Sequence, residues 1–275
     1  MPLTTRSVLD AGLNSLDEKL LQMSSMVDSM LERAMIALYT RDVAMAAEVD
    51  AEDLVVNDIR YATEDEALQL LATQQPMASD LRRVIAAIHI AVELERIGDH
   101  ASGIARLVGR LDDEDEIESL HKLPKMAKRA RAMVQNSVEA YINCDPELAM
   151  EMIGKDDKID RQYGKLFRET LNEMRDDDYI RRATFLLWVG HDLERIGDRA
   201  TNIAERVIFM ATGQHIELHD AAQEAAQEAA QEAAQEAVQE DIQEAVQDDI
   251  QEAVQDDVQD DVQEAVQDDV QNDTD

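Results

Sequence analysis

The chain has 275 residues with 61 Asp and Glu against 26 Lys and Arg, a formal net charge of −35. That balance repels the phosphate backbone of nucleic acids, so direct DNA or RNA binding is not expected. A single cysteine, Cys144, excludes an intrachain disulfide and fits a reducing compartment. No run approaches the ~20 apolar residues of a membrane span, and Met1-Pro2-Leu3-Thr4-Thr5-Arg6 lacks the apolar stretch of a secretory signal. A cytoplasmic protein without membrane insertion is the expectation. Aromatic residues are 3% of the chain, so the core must be packed from Leu, Ile, Val, Ala and Met, which favours helix on helix over a β-sandwich.

Helical periodicity begins at once. Leu13, Leu16, Leu20, Met23, Val27, Met30, Ala34 and Leu38 step by three or four residues and predict a first helix of roughly 28 residues ending at Arg41-Asp42. A second helix runs from about Val43 to Leu71, stopped by Gln74-Gln75-Pro76, because proline cannot continue a helix and disfavours αR before it. Ser79 or Asp80 is the expected N-cap of a third helix reaching about Leu111. The acidic run Asp112 to Glu116 reads as a solvated linker. The pattern then repeats: helix four over about Ser119 to Tyr141, helix five over about Glu147 to Met174, and helix six from Asp176-Asp177-Asp178 to Ala211, capped by Gly213. Long helices with short connections pack antiparallel. The expected fold is therefore all-α, two tandem three-helix bundles over residues 10–113 and 117–213.

Residues 214–275 read differently. From residue 220 onward there are 20 acids and no Lys or Arg. Val or Ile recurs every fourth position from Val238 to Val270; a period of four drifts by about 40° per repeat around a helix, so no fixed apolar face forms. Low complexity and dense charge predict a disordered or salt-dependent acidic tail.

The most informative feature is a repeat. Leu94-Glu95-Arg96-Ile97-Gly98-Asp99 recurs letter for letter as Leu193-Glu194-Arg195-Ile196-Gly197-Asp198, an interval of 99 residues. Each copy sets a Glu and an Asp four apart, on one helical face. On helix three they continue the column Leu81, Ile85, Ile88 and Val92; on helix six they follow Ile180, Leu187 and His191. Acids in line with a core face are costly unless paired, protonated or bound to a cation. The middle helices carry matching pairs, Asp53 with Asn57 and Asp156 with Asp160, at a constant offset of 103. Oxygen ligands gathered between bundle helices hold Fe, Mn, Mg or Zn in carboxylate proteins. The candidate metal ligands are thus Glu95, Asp99, Glu194 and Asp198, with Asp53, Asn57, Asp156 and Asp160 as partners. The competing reading is a set of solvated surface acids making Arg contacts. His191 could extend the second set. Arg96 and Arg195 project about 100° from the acids they follow, toward solvent, a neighbouring helix or a partner. Gly98 and Gly197, mid-helix, suggest close helix approach or room for an ion. Glu118-x-x-His121 is the only Glu-x-x-His, where a di-iron oxidase bundle needs two. Nothing in the sequence assembles a nucleophile, base and orienter, or a phosphate-cradling loop, so no catalytic residue and no organic cofactor are expected.

Gln74-Gln75-Pro76-Met77-Ala78-Ser79-Asp80-Leu81-Arg82, followed by Glu93-Leu94-Glu95-Arg96-Ile97-Gly98-Asp99, resembles the PhoU family of phosphate-signalling regulators over about residues 10–213. The second copy, Met174-Arg175-Asp176-Asp177-Asp178-Tyr179-Ile180-Arg181, lacks the Gln-Gln-Pro element. The resemblance implies six helices in two bundles. It also implies a non-enzymatic negative regulator of phosphate uptake, touching the ATPase of the phosphate ABC transporter, a membrane histidine kinase, or both. Iron or zinc at the repeated acidic motifs is a further implication. Two similar surfaces suit a homodimer. A carboxylate-bundle metal-binding or storage protein is the alternative, and a purely structural helical interaction protein a third.

Overall fold

The computed structural model describes residues 5–111, 122–174 and 180–215. The linker acids 112–116, the Glu118/His121 pair, Asp176–Asp178 and the acidic tail lie outside the described residues. Everything described is helix or tight connection, and belongs to one compact unit.

The first helix, α1 (Thr5–Thr40), is longer than its periodic stripe. All eight stripe positions from Leu13 to Leu38 are buried. Arg41 turns the chain through the left-handed region at φ 57°, and Asp42 caps α2 (Val43–Gln74) by accepting from the Met45 N–H at 2.9 Å. Gln75 closes α2 in the αL region, before Pro76, as the proline break requires. The start of α3 (Ser79–Val108) differs from expectation. Ser79 and Asp80 lie inside the helix, Ala78 holds the cap position at φ 50° without a side-chain cap bond, and the Asp80 carboxylate pairs with Arg6 at 2.6 Å instead. A partner from α1 took the carboxylate that capping would have used.

In the second copy α4 (Leu123–Asn143) carries a proline in its first turn. The predicted fifth helix is broken in two, α5 (Pro146–Ile153) and α6 (Asp156–Glu173). The break falls at Gly154-Lys155. Gly154 returns its N–H to the Met150 carbonyl at 3.3 Å, and Asp156 and Asp157 then open α6 with the charge a helix N-terminus favours. Then α7 (Ile180–Thr212) ends at Gly213, φ 74°, as predicted.

Helices α1, α2 and α3 pack together, α7 packs on α4, α5 and α6, and the halves join along α3–α7 and α1–α4. The core is aliphatic and methionine-rich, as composition demanded; Trp188 lies half-exposed, edge-on to Phe185. Across the seam the polar contacts are reciprocal under the 99-residue repeat. His100 Nδ1 meets Asp192 at 3.0 Å, while the equivalent Arg199 meets the equivalent Glu93 at 3.4 Å, joined by Asn202 at 3.2 Å. Arg82 donates to the Met210 carbonyl at 2.9 Å and its counterpart Arg181 to the Arg110 carbonyl at 3.1 Å. Arg131 of α4 grips Asp28 through two bonds of 2.7 and 2.8 Å and Glu32 at 2.9 Å. Arg83 pairs with the mostly buried Asp17 beneath the fully buried Tyr141. The pairs across the seam register α1 and α3 of the first copy against α4 and α7 of the second, while Arg83–Asp17 holds α3 to α1 within the first.

Because the period-four sequence pattern predicts no fixed apolar face, removing residues 217–275 should leave the melting of the helical core within about 5 °C in high salt. Thermal melts of full-length and truncated protein decide this; a larger drop would show that the core depends on the tail.

Candidate functional site

The acidic motifs lie where two helices meet at a glycine. At Gly98 of α3, a Cβ would stand 3.2 Å from Asp53 Oδ1 and 3.5 Å from Val56 Cγ1, both on α2. At Gly197 of α7, a Cβ would stand 3.0 Å from Asp156 Oδ1 and 3.0 Å from Ile159 Cδ1 on α6. Both glycines therefore admit the carboxylate of the neighbouring helix. The offset of 103 between α2 and α6 holds in space, since Val56 and Ile159 occupy equivalent buried positions. The column running from Leu81 to Asp99 is not the core face, however. Leu81 is 40% exposed and Ile180 is 42% exposed, while Val84, Ala87, Ala91, Leu94 and Ile97 face inward. The acids stand on the rim of the helix pairs, Asp99 and Asp160 exposed and Asp53, Glu95, Asp156, Glu194 and Asp198 half-buried, because the adjacent stripe carries the centre of the core.

Their electrostatics show what gathers there. Burial, then the charges of Asp99 and Glu95, push Asp53 up to about 6 from an ordinary 3.8. Burial and Asp99 also raise Glu95, against the opposing pull of Arg60 and Arg96. In the second copy burial comes first again; Asp160 and Asp198 add to it and carry Asp156 to about 7. Burial, Glu194 and Asp198 take Asp160 to about 6. Three oxygens of these residues are buried without a hydrogen-bond partner, Asp53 Oδ1, Asn57 Oδ1 and Asp156 Oδ1, while Glu194 Oε2 faces only the His191 ring nitrogen at 3.3 Å. Carboxylates that repel one another and leave oxygens unpaired are the chemistry a cation relieves. Among the described residues no three His, Cys, Asp or Glu side chains are already assembled to hold an ion.

The sets differ in ways the motif did not reveal. Arg60 of α2, missed in the sequence, lies 3.9 Å from Glu95 and bonds Glu64 at 2.7 Å. Its counterpart at the 103 offset is Tyr163, whose pKa is raised by burial and by Glu194. A cation thus occupies in the first copy the place of a neutral phenol in the second. The first copy also has Asn57 where the second has Asp160, so the second cluster is the more negative. Arg195 folds back on its own helix to bond Asp198 at 2.6 Å, rather than reaching outward. His191 stands 3.3 Å from Glu194, and the Thr201 hydroxyl lowers Asp156 against the larger upward causes. Beside the first cluster Asp50 accepts from Ser102 at 2.5 Å and Arg106 at 2.8 Å. The constant offset between copies was the signal that could have located Arg60 and Tyr163.

The PhoU domain family matches residues 20–108 and 123–207, once over each copy. The chain belongs to the PhoU family. Among its PhoU relatives, a phosphate-specific transport system accessory protein PhoU homolog of Clostridium acetobutylicum is 34% identical over 218 residues, 78% of this chain and 100% of the relative. A homolog of the same description from Rhizobium meliloti is 34% identical over 209 residues, 75% of this chain and 88% of the relative. Two PhoU crystal structures share the fold. That of Pseudomonas aeruginosa PhoU has a TM-score of 0.71 at 33% identity, covering 74% of this chain and 99% of the other. That of the phosphate transport system regulatory protein PhoU of Streptococcus pneumoniae has a TM-score of 0.71 at 31% identity, covering 76% and 99%. No described helix is long and apolar enough to cross a membrane.

Proposed function

We propose that this PhoU-family accessory protein of phosphate transport restrains phosphate uptake when phosphate is plentiful. It acts by contact rather than catalysis, from the cytoplasm. Its partners are the ATPase of the phosphate ABC transporter, the membrane histidine kinase that reads phosphate supply, or both. The observation that carries this reading is the match of both copies to relatives described as phosphate-specific transport accessory proteins, with 88% and 100% of those relatives covered. Deleting the gene should raise phosphate uptake and phosphate-starvation transcripts in phosphate-rich medium. Unchanged uptake and transcripts at both high and low phosphate would remove the regulatory reading.

A second reading of the same molecule rests on the orphaned carboxylate oxygens. Glu95 and Asp99 with Asp53 and Asn57, and Glu194 and Asp198 with Asp156 and Asp160, supply an all-oxygen donor set, fitted to iron or another hard cation better than to zinc. A bound ion would supply positive charge that lets the acids share one space ionised. The residues of this chain hold the helices at that spacing through Gly98 and Gly197. The second cluster, lacking a counterpart to Arg60, is the stronger candidate.

A further inference from the structure

The bases of this chain are unevenly spread. Seven of the 26 are lysine, and six of those, Lys122, Lys125, Lys128, Lys155, Lys158 and Lys165, fall on or beside α4 and α6. The seventh, Lys19, pairs with Glu66. On α6, Lys158 and Lys165 are seven apart, as are Arg161 and Arg168, so the four share one exposed face. On α4, Lys122, Lys125 and Arg129 step by three and four along one side. Two contacts join these sides. Arg129 donates to the Lys158 carbonyl at 3.4 Å, and Lys122 meets Glu169 at 3.5 Å. The helices therefore run antiparallel with Lys125 at the level of Lys165, and the bases form one strip about 15 Å long.

Little within the chain neutralises this strip. Among the described residues the side chains of Lys125, Lys158, Lys165 and Arg168 have no carboxylate at ion-pair distance. Arg161 donates to the Asp157 carbonyl of its own helix. Of the acids described on α6, Asp156 and Asp160 belong to the cluster against α7, which leaves Asp157 and the already paired Glu169 beside the strip. The residue type is a second clue. Between helices this fold meets carboxylates mostly with arginine, as at Asp80, Asp17, Asp28 and Glu93, where a planar fork fits two fixed oxygens. Lysine is a hydrated point charge on a flexible stem, suited to phosphate groups whose positions are not fixed. Phe167 and Leu171, 44% and 47% exposed, flank the strip on α6, where apolar side chains can enter the headgroup boundary while lysines lie on the phosphates.

We infer that the α4–α6 strip binds the anionic phospholipid surface of a membrane, peripherally and with no helix inserted. Several lysines and arginines on one helix face give such binding, and each base near the surface adds to it. The chain as a whole carries a net charge of −35, so the lipid field that attracts the strip repels the acidic remainder and turns the strip toward the surface. At 0.15 M salt these charges act within about 8 Å, which makes the contact weak, salt-dependent and reversible. A chain held this way meets membrane-embedded partners at a raised local concentration. The contact holds whether or not the protein restrains phosphate uptake.

Co-sedimentation of the full-length chain with lipid vesicles tests it. Vesicles of phosphatidylglycerol and phosphatidylcholine in equal parts should carry the protein down at about 0.1 M salt and release most of it at about 1 M, where the screening length falls to about 3 Å. Vesicles of phosphatidylcholine alone should carry down none. Lys125→Gln with Lys158→Gln and Lys165→Gln should lower partition at least about tenfold, and the same three positions changed to Arg should keep it. Because these three side chains have no carboxylate partner among the described residues, the Gln variant should melt as the wild type does, which separates lost binding from lost folding. Equal partition onto neutral vesicles, no binding at either salt, or a Gln variant that binds as the wild type does would each overturn the inference. A strip that then captured polyglutamate at the same salt would mark an acidic protein as its partner instead.

Discussion

Asp156→Asn should raise the melting temperature of the metal-free protein at pH 7.5 and flatten its decline between about pH 4 and pH 7. Asp156 ionises at about 7 in the folded chain against an ordinary 3.8, from burial first and then Asp160 and Asp198. Between those values the folded protein holds a proton that the unfolded chain has released, so stability falls as pH rises through this window. Asp160 and Asp53, at about 6, act in the same direction over a narrower range. Other carboxylates titrate over the same pH range, so the diagnostic is the difference between wild type and variant. Water reaches these rim sites and screens the repulsion, so a gain of a few degrees is expected rather than the full linkage value. Ferric or divalent ions should reverse the wild-type decline, adding about 2.7 kcal/mol at a hundredfold excess over Kd. The Glu194→Gln/Asp198→Asn variant should lose that response and carry less metal by mass spectrometry. A wild type with a flat pH profile and no bound metal would leave the acidic clusters as surface charge.

The second large effect is expected at the junction of α1, α3 and α4. Asp17→Ala should destabilise the chain by about 3 kcal/mol, because it strands the Arg83 guanidinium and the ring of Tyr141 beside an emptied acid, which is roughly 6–12 °C for a core of this size. Asp17 is the mostly buried partner, and burial together with the Asp17 charge drives the Tyr141 pKa upward. Tyr141→Phe should cost about 1 kcal/mol or less, since its hydroxyl lies beside Asp17 and Arg83 without good hydrogen-bond geometry to either. Asp17→Ala with Arg83→Met should cost less than the two single losses together, because removing both members leaves neither charge unpaired. Denaturant titration of wild type, Asp17→Ala, Arg83→Met, their double variant and Tyr141→Phe separates these outcomes; equal losses for Asp17→Ala and Tyr141→Phe would mean that packing, not charge, holds the junction.

Local periodicity made α1 legible, because each residue of its stripe faces one core and nothing competes for it. The proline at 76 and the glycine at 213 marked helix ends for equally local reasons. The polar pairs of α2 and α6 stood out through their four-residue spacing and the offset of 103, and the structure sets Asp53 within the field of Glu95 and Asp99, and Asp156 and Asp160 within that of the second motif. What failed was whatever depended on a residue far away. Asp80 did not cap α3 because Arg6 reaches it from α1. The column leading to Glu95 looked like core because its upstream members are aliphatic; which of two neighbouring apolar stripes turns inward is decided by the helices packed outside. Gly154 inside a periodic segment was a visible breaker signal, outweighed by the continuing apolar pattern around it. The pairing of Glu93 with Arg199 joins positions 106 apart, and no local rule anticipates it.

That seam has a historical consequence. Glu93 reaches Arg199 while Asp192 reaches His100, and Arg82 and Arg181 each hold a carbonyl near the far end of the other long helix. Contacts in which position i of one copy meets position j of the other, and j meets i, are the signature of an isologous pair. A half-length ancestor with these residues would have made the same contacts by pairing with itself. Fusing two such copies would tether what separate polypeptides could already hold. Freed from identity, the halves could diverge, and the exchange of arginine for histidine across the seam is one trace of that freedom.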